Sequence, residues 1–166
     1  MLLSHPRQEG SNVSNKILLV AGMGAFAILV VLGTFGDYLR VPVGCKEEPS
    51  TEQLYCLTPT KMGWRQADIY ARLHGGHLVW IETEEEQTWL SANFGDELYW
   101  IGLTDQEEEG EWVWTSGAAA EFTHWYPGEP NNDNDAEHYA LTNFGGPGLW
   151  NDGTLESPLR GLIEKD

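Results

Sequence analysis

The stretch GEPNNDNDAEHY, residues 128–139, places two Glu, three Asn and two Asp around a single proline. Carboxylate and amide oxygens are hard ligands, suited to an ion such as Ca²⁺ that takes about six to eight of them. An EF-hand is the first arrangement to test, because Asp133, Asp135 and Glu137 are spaced like the opening ligands of its loop. It fails, since the glycine such a loop needs is replaced by His138 and its closing glutamate by Phe144. No His and Cys cluster has zinc spacing, and HExxH, GxSxG and Walker sequences are all missing. The oxygens therefore point to a binding loop on some other scaffold, and not to an enzyme.

That scaffold is read from the flanking sequence. QLYCLTP is a strand stopped by Pro59, and WRQADIYARLH (64–74) is a helix stopped by Gly75 and Gly76. HLVWI (77–81) follows as a strand. Thr83 with Glu86 forms a capping box that opens a second helix, in which Leu90 and Phe94 share one face. Beyond Gly95 the chain turns to short aromatic strands among Gly, Pro, Asn and Asp: LYWIGLT, EWVWT, HYALTNF and LRGLIEK. Two helices followed by short strands make an α+β domain. All eight Trp residues lie after position 63 and supply much of its core. Residues 116–138 carry little regular pattern, and a loop of that length in a small domain is usually functional or disordered.

The N-terminal part differs in kind. Residues 1–16 read as a disordered polar tail, and residues 17–36, ILLVAGMGAFAILVVLGTFG, are 20 residues without a charge. At about 1.5 Å per residue a helix of that length spans about 30 Å, the thickness of a bilayer's hydrocarbon core. A transmembrane signal-anchor is the favoured reading. The alternative is a signal peptide cut after Gly36, although its apolar region would normally be about 7–15 residues and its lead-in shorter than here. Either reading exports the chain from Asp37 onward, as an anchored or a secreted domain. Residues 37–44 read as a short linker and 45–166 as the folded domain. Of 26 acidic residues only Glu9 and Asp37 precede Cys45, whereas Arg7, Lys16 and Arg40 of the nine basic ones do. A domain so acidic repels phosphate, which excludes nucleic acid and disfavours anionic lipid, and attracts cations.

Two triplets far apart complete the picture. EPN at 129–131 and WND at 150–152, with WIGL at 100–103 and Glu137 between them, resemble the C-type lectin-like domain in its long, mannose-type, sugar-binding form. The resemblance runs from Cys45 to about Lys165. It implies an α+β fold of two helices, short antiparallel strands and a long calcium-binding loop region. It also implies a principal Ca²⁺ site, doubling as the carbohydrate site, on Glu129, Asn131, Glu137, Asn151 and Asp152, with a cis Glu129–Pro130 bond. An auxiliary ion would fall on Asp105, Glu109, Asn132 and the backbone of Glu137. His138 stands there where an acidic residue is usual, and is either an acid-sensitive cation beside the site or an exposed bystander.

The chain departs from the family at its disulfides. Both usual bridges are missing, their positions falling on Ala71 with Ile163 and on Tyr139 with Leu155. Cys45 and Cys56 are placed like the N-terminal hairpin disulfide of the long form; two buried free thiols are the alternative. A bridge here puts the domain on the oxidising side of the membrane. The N-terminus is then inside and the lectin outside, a type II arrangement that the balanced basic flanks of the span leave open. The function expected from the resemblance is calcium-dependent recognition of glycans or glycoproteins through vicinal hydroxyls of the mannose, glucose, N-acetylglucosamine and fucose type. The other reading is a protein-binding adhesion or receptor module whose calcium only holds its loops. Which glycan is bound, and the oligomeric state, are outside the reach of the sequence.

Overall fold

A computed structural model describes residues 35–165. The tail 1–16 and all of the apolar run except Phe35 and Gly36 lie outside those residues. Among the described residues no helix is long and apolar enough to cross a membrane. In chain order the elements are α1 (Phe35–Tyr38), β1 (Val43–Glu47), β2 (Leu54–Leu57), α2 (Trp64–Leu73), β3 (Gly76–Leu78), α3 (Glu84–Phe94), β4 (Tyr99–Thr104), β5 (Val113–Trp114), β6 (Tyr139–Thr142), β7 (Trp150–Gly153) and β8 (Arg160–Lys165). This is the α+β arrangement the sequence implies, with two full helices against a sheet.

The last strand organises the sheet. β8 pairs antiparallel with β2 and β3 and parallel with β4, so Ile163 lies opposite both Cys56 and Leu78. From there the sheet continues through β4 to β6 and β7, all antiparallel, while β1 closes the other edge against β2. The β1–β2 hairpin carries the disulfide between Cys45 and Cys56, as expected. β1 starts at Val43, and Tyr70 Oη donates to the carbonyl of Arg40 at 2.5 Å. The segment 37–44, read as a linker, is therefore partly built into the sheet.

Two apolar clusters fill the core. Trp64, Ala67, Tyr70 and Ala71 of α2 pack with Leu78, Trp100, Tyr139 and Ile163, with Leu155 against them. Ile101, Leu103, Trp114, Ala140, Trp150 and Leu162 form the other, beneath Leu90 of α3 with Phe94 alongside. Both pairs of positions that lack cysteines thus sit in the first of these clusters. Three of the buried indoles have partners for their N–H groups: Trp64 donates to Ile101 O at 2.8 Å, Trp100 to Met62 O at 3.1 Å, and Trp150 to Gln87 Oε1 at 2.6 Å. Gly102 is required where β4 passes beneath Leu78, because a Cβ there would stand 2.4 Å from the Leu78 carbonyl oxygen.

Three details differ from the sequence reading. The capping bond of α3 forms as expected, Glu86 N–H donating to Thr83 Oγ1 at 3.1 Å. The return bond does not: Glu86 Oε2 accepts from Glu82 N–H, one residue earlier, because Oε1 is held by Tyr55 Oη at 2.9 Å. Burial pushes both the Glu86 carboxyl and the Tyr55 hydroxyl above their usual pKa values. The strand expected over 77–81 is regular only to Leu78, although Val79 N–H still reaches Leu162 O and its carbonyl accepts from Gly102 N–H, each at 2.9 Å. Finally, WND is itself a strand, β7, which the sequence did not reveal.

Gln87 is the contact that fixes α3 to β7, since its side chain is buried and holds the indole N–H of Trp150. Gln87→Met keeps the volume but strands that donor, so a loss of about 1–3 kcal/mol in unfolding free energy is expected from urea denaturation.

Candidate functional site

The long loop reaches its place by joining the edge of β7. Trp150 N–H donates to His124 O and Tyr126 N–H to Trp150 O, each at 2.8 Å, so 124–126 runs beside β7 and delivers Glu129 beyond its end. The Glu129–Pro130 bond is cis, as the resemblance implies. The chain then doubles back through left-handed conformations at Asn132, Asn134 and Asp135 around a short 3₁₀ turn at Asp133–Asp135. Asparagine and aspartate tolerate that region better than other non-glycine residues, which accounts for much of the loop's composition. Asp133, Asn134 and Asp135 are exposed.

Asp152 is the buried anchor. It lies opposite Ala140 in the β6–β7 ladder and is wholly buried. Its Oδ2 accepts from Asn132 N–H at 2.7 Å and from Asn131 N–H at 3.1 Å. Glu137 joins from the far limb, with Asp133 N–H donating to its Oε2 at 3.3 Å and its own N–H donating to Asn132 Oδ1 at 3.0 Å. Glu129, Glu137 and Asp152 thereby bring three carboxylates together. Burial, then the charge of Asp152, raises the pKa of Glu129; burial also raises Glu137, with Asp152 and Asp133 adding to it against the Asp133 hydrogen bond. Among the described residues none of the three has a basic side chain within ion-pair distance.

Two further oxygens face the same shortage. Glu129 Oε2 and Asn151 Oδ1 are buried without any hydrogen-bond partner, while the Asn151 amide donates its Nδ2 to the carbonyl of Asp152. Unpaired buried acceptors beside uncompensated like charges are expensive in a folded protein. A hard cation would satisfy the carboxylates and the orphaned oxygens at once, so this donor set, all oxygen, fits Ca²⁺. Asn131 contributes its backbone to Asp152 and leaves its side chain exposed.

The residues read as an auxiliary site also meet. One donor atom each from Asp105, Glu109 and His138 lies within 4.8 Å of the others. His138 Nδ1 stands 3.1 Å from Asp105 Oδ1 and 3.4 Å from Glu109 Oε2, and Asn132 Nδ2 donates to Glu109 Oε2. His138 is therefore engaged and not a bystander. That Asn132 joins the two sets, one through each end of its amide, is visible only in the folded loop.

The family model for the lectin C-type domain matches residues 60–159. The mouse scavenger receptor C-type lectin carbohydrate-recognition domain is 32% identical with a TM-score of 0.68, covering 75% of this chain and 95% of that one. The cow CD23 carbohydrate-recognition domain, solved in the presence of a GlcNAc2Man3 oligosaccharide, is 31% identical with a TM-score of 0.63, over 68% of this chain and 87% of that one. Asialoglycoprotein receptor 1 of Mus musculus is 32% identical over 173 residues, 98% of this chain and 55% of the receptor. The chain spans from 9% to 58% of the length of the curated relatives it matches. These relatives are lectins, carbohydrate-binding proteins and not enzymes.

The raised Glu129 carboxyl gives a signed prediction for the protein in chelator. Because its folded pKa lies above the ordinary value of 4.5, the cost of burying the ionised carboxylate, with repulsion from Asp152 and Glu137, weighs against folding at neutral pH and is relieved as pH falls through the folded pKa. Glu129→Gln is expected to raise the Tm in chelator at pH 7.5, with the gain shrinking toward pH 4.5; a lower Tm in chelator at pH 7.5 would contradict it.

Proposed function

Because the chain belongs to the C-type lectin domain family, we propose that it is a calcium-dependent lectin of the mannose type, binding glycans or glycoproteins through vicinal hydroxyls. The observation that carries this reading is the pair of orphaned oxygens, Glu129 Oε2 and Asn151 Oδ1, set among carboxylates with no cation of their own. Glu129, Asn131, Glu137, Asn151 and Asp152 hold the ion. Calcium, when bound, supplies coordination positions that two neighbouring sugar hydroxyls can occupy.

The rest is work for this chain's side chains. Glu129 and Glu137 accept the hydroxyl protons, and the amides of Asn131 and Asn151 donate to the hydroxyl oxygens. Each hydroxyl of a vicinal pair then meets one donor and one acceptor. Asp152, besides its place around the ion, accepts from the loop backbone at Asn131 and Asn132 and so also fixes the loop. The order acceptor, proline, donor in Glu129-Pro130-Asn131 is the one the resemblance ties to equatorial 3- and 4-hydroxyls.

Isothermal titration with mannose tests the reading: heat of binding in millimolar calcium, abolished by chelator, is expected, and no binding in calcium overturns it. Exchanging donor and acceptor, Glu129→Gln with Asn131→Asp, is expected to move the preference toward galactose. An unchanged protein partner with no sugar response would favour the adhesion-module alternative instead.

We also take residues 17–36 as a membrane anchor and residues 45–166 as the lectin unit, with the N-terminus cytoplasmic. The uncharged length of the run, the Cys45–Cys56 bridge of an oxidising compartment and an alignment over 98% of the chain to a protein named a receptor support this. The chain is expected to stay with membranes after alkaline carbonate washing, its lectin unit cut only by protease added on the lumenal or outer face. Release into the wash would point to cleavage after Gly36.

A further inference from the structure

We propose that the second set of residues, Asp105, Glu109 and His138, binds a transition-metal ion of the zinc class and not calcium. It rests on a different set of ligands from the sugar site and stands or falls separately from it.

The donor chemistry is the first argument. Calcium wants about six to eight oxygens. Here one of the converging donors is a ring nitrogen, His138 Nδ1, and imidazole is a ligand for zinc, copper, iron and nickel. The Asn132 amide that might have added an oxygen turns its nitrogen to this set: Nδ2 donates to Glu109, while Oδ1 accepts from Glu137 N–H at 3.0 Å. Flipping the amide would break both bonds and set two N–H groups against the Glu137 N–H. Asp105 Oδ2 accepts from Gly110 N–H at 2.8 Å, leaving Oδ1 to face the site. Two carboxylates and few other oxygens make a poor cage for a hard ion.

The spacing is the second. Ligands about 2.0–2.1 Å from a tetrahedral zinc lie about 3.3 Å from one another. His138 Nδ1 stands at 3.1 and 3.4 Å from the two carboxylate oxygens, close to two edges of such a tetrahedron, and all three donors lie within 4.8 Å of one another. A water completes the fourth corner, as in zinc sites with three protein ligands. The position is also prepared: Asp105 has a fully buried side chain and Gly110 fixes it from behind, while Asn132 steadies Glu109. The metal takes the Nδ1 lone pair of the neutral ring, whose one proton then sits on Nε2. Glu137 and His138 are adjacent in sequence yet serve different sets, so the two ions sit side by side along one loop.

The test is zinc titration of the full chain in saturating calcium, followed by calorimetry and, with cobalt as a probe, by visible absorption. One equivalent of zinc is expected at micromolar affinity, with a cobalt spectrum in the visible range. His138→Gln is expected to weaken zinc by roughly tenfold or more and to remove that spectrum. Glu109→Gln, at a side chain 57% exposed and outside the core, is expected to weaken zinc as well. His138→Asp should exchange the preference, losing zinc and gaining a second equivalent of calcium. Zinc bound equally by wild type and His138→Gln, or two calcium ions and no zinc in the wild type, overturns the assignment.

Discussion

The carboxylate of Asp152 is the constraint on which the binding face depends. It is buried in β7 and accepts the backbone N–H groups of Asn131 and Asn132, two donors that the turning loop cannot satisfy within itself. A charged acceptor of this kind strengthens each bond to about twice that of a neutral pair. It also commits the loop to one path, because Asn132 must then adopt its left-handed conformation and offer its side chain to Glu137 N–H. The consequence is electrostatic: the tie that orders the loop brings Glu129 and Glu137 to a third negative charge. The fold creates the need for a cation in the act of placing its ligands.

β7 can hold that carboxylate still because the core behind it is aromatic and closely packed. Trp150 precedes Asn151, is wholly buried, and meets Trp114, Phe122 and Trp125 at ring-centroid distances of 5.6–6.0 Å, near-perpendicular in each case. Edge-to-face geometry of this sort adds about 0.5–1.5 kcal/mol per pair beyond burial. In the cluster around α2, Tyr139 stacks obliquely on Trp64 at 4.8 Å and donates its hydroxyl to Gln106, where a bridged cysteine would have cross-linked the site strand. Packing and one hydrogen bond thus stand in for a covalent link beside the loop.

How much of this the sequence carried differs by level. Helix α2 and the α3 cap were legible because periodicity and capping are local, and the strands of LYWIGLT and LRGLIEK were legible because Gly and Pro mark their ends. β7 was not, since Trp-Asn-Asp-Gly has no alternating pattern; it is a strand only because β6 and residues 124–126 pair with it on its two sides. The return bond of the α3 cap was misplaced for a similar reason: Tyr55, 31 residues away, holds the other oxygen of Glu86. At the candidate site the oxygen-bearing residues could be picked from the two triplets, but their shared lack of a counter-charge could not. That property belongs to the folded arrangement, as does the side of the Asn132 amide that faces each neighbour.

Asn132 is where the loop's two halves become one object. Its oxygen serves the backbone of Glu137 and its nitrogen serves Glu109, so the sugar-side carboxylate and the His138 set are joined through a single planar group. Planarity makes the two contacts interdependent, because rotating the amide to improve one worsens the other. Glu109 is therefore held beside His138 and Asp105 by the same amide that holds the Glu137 backbone, while the ligands of the two sets stay distinct.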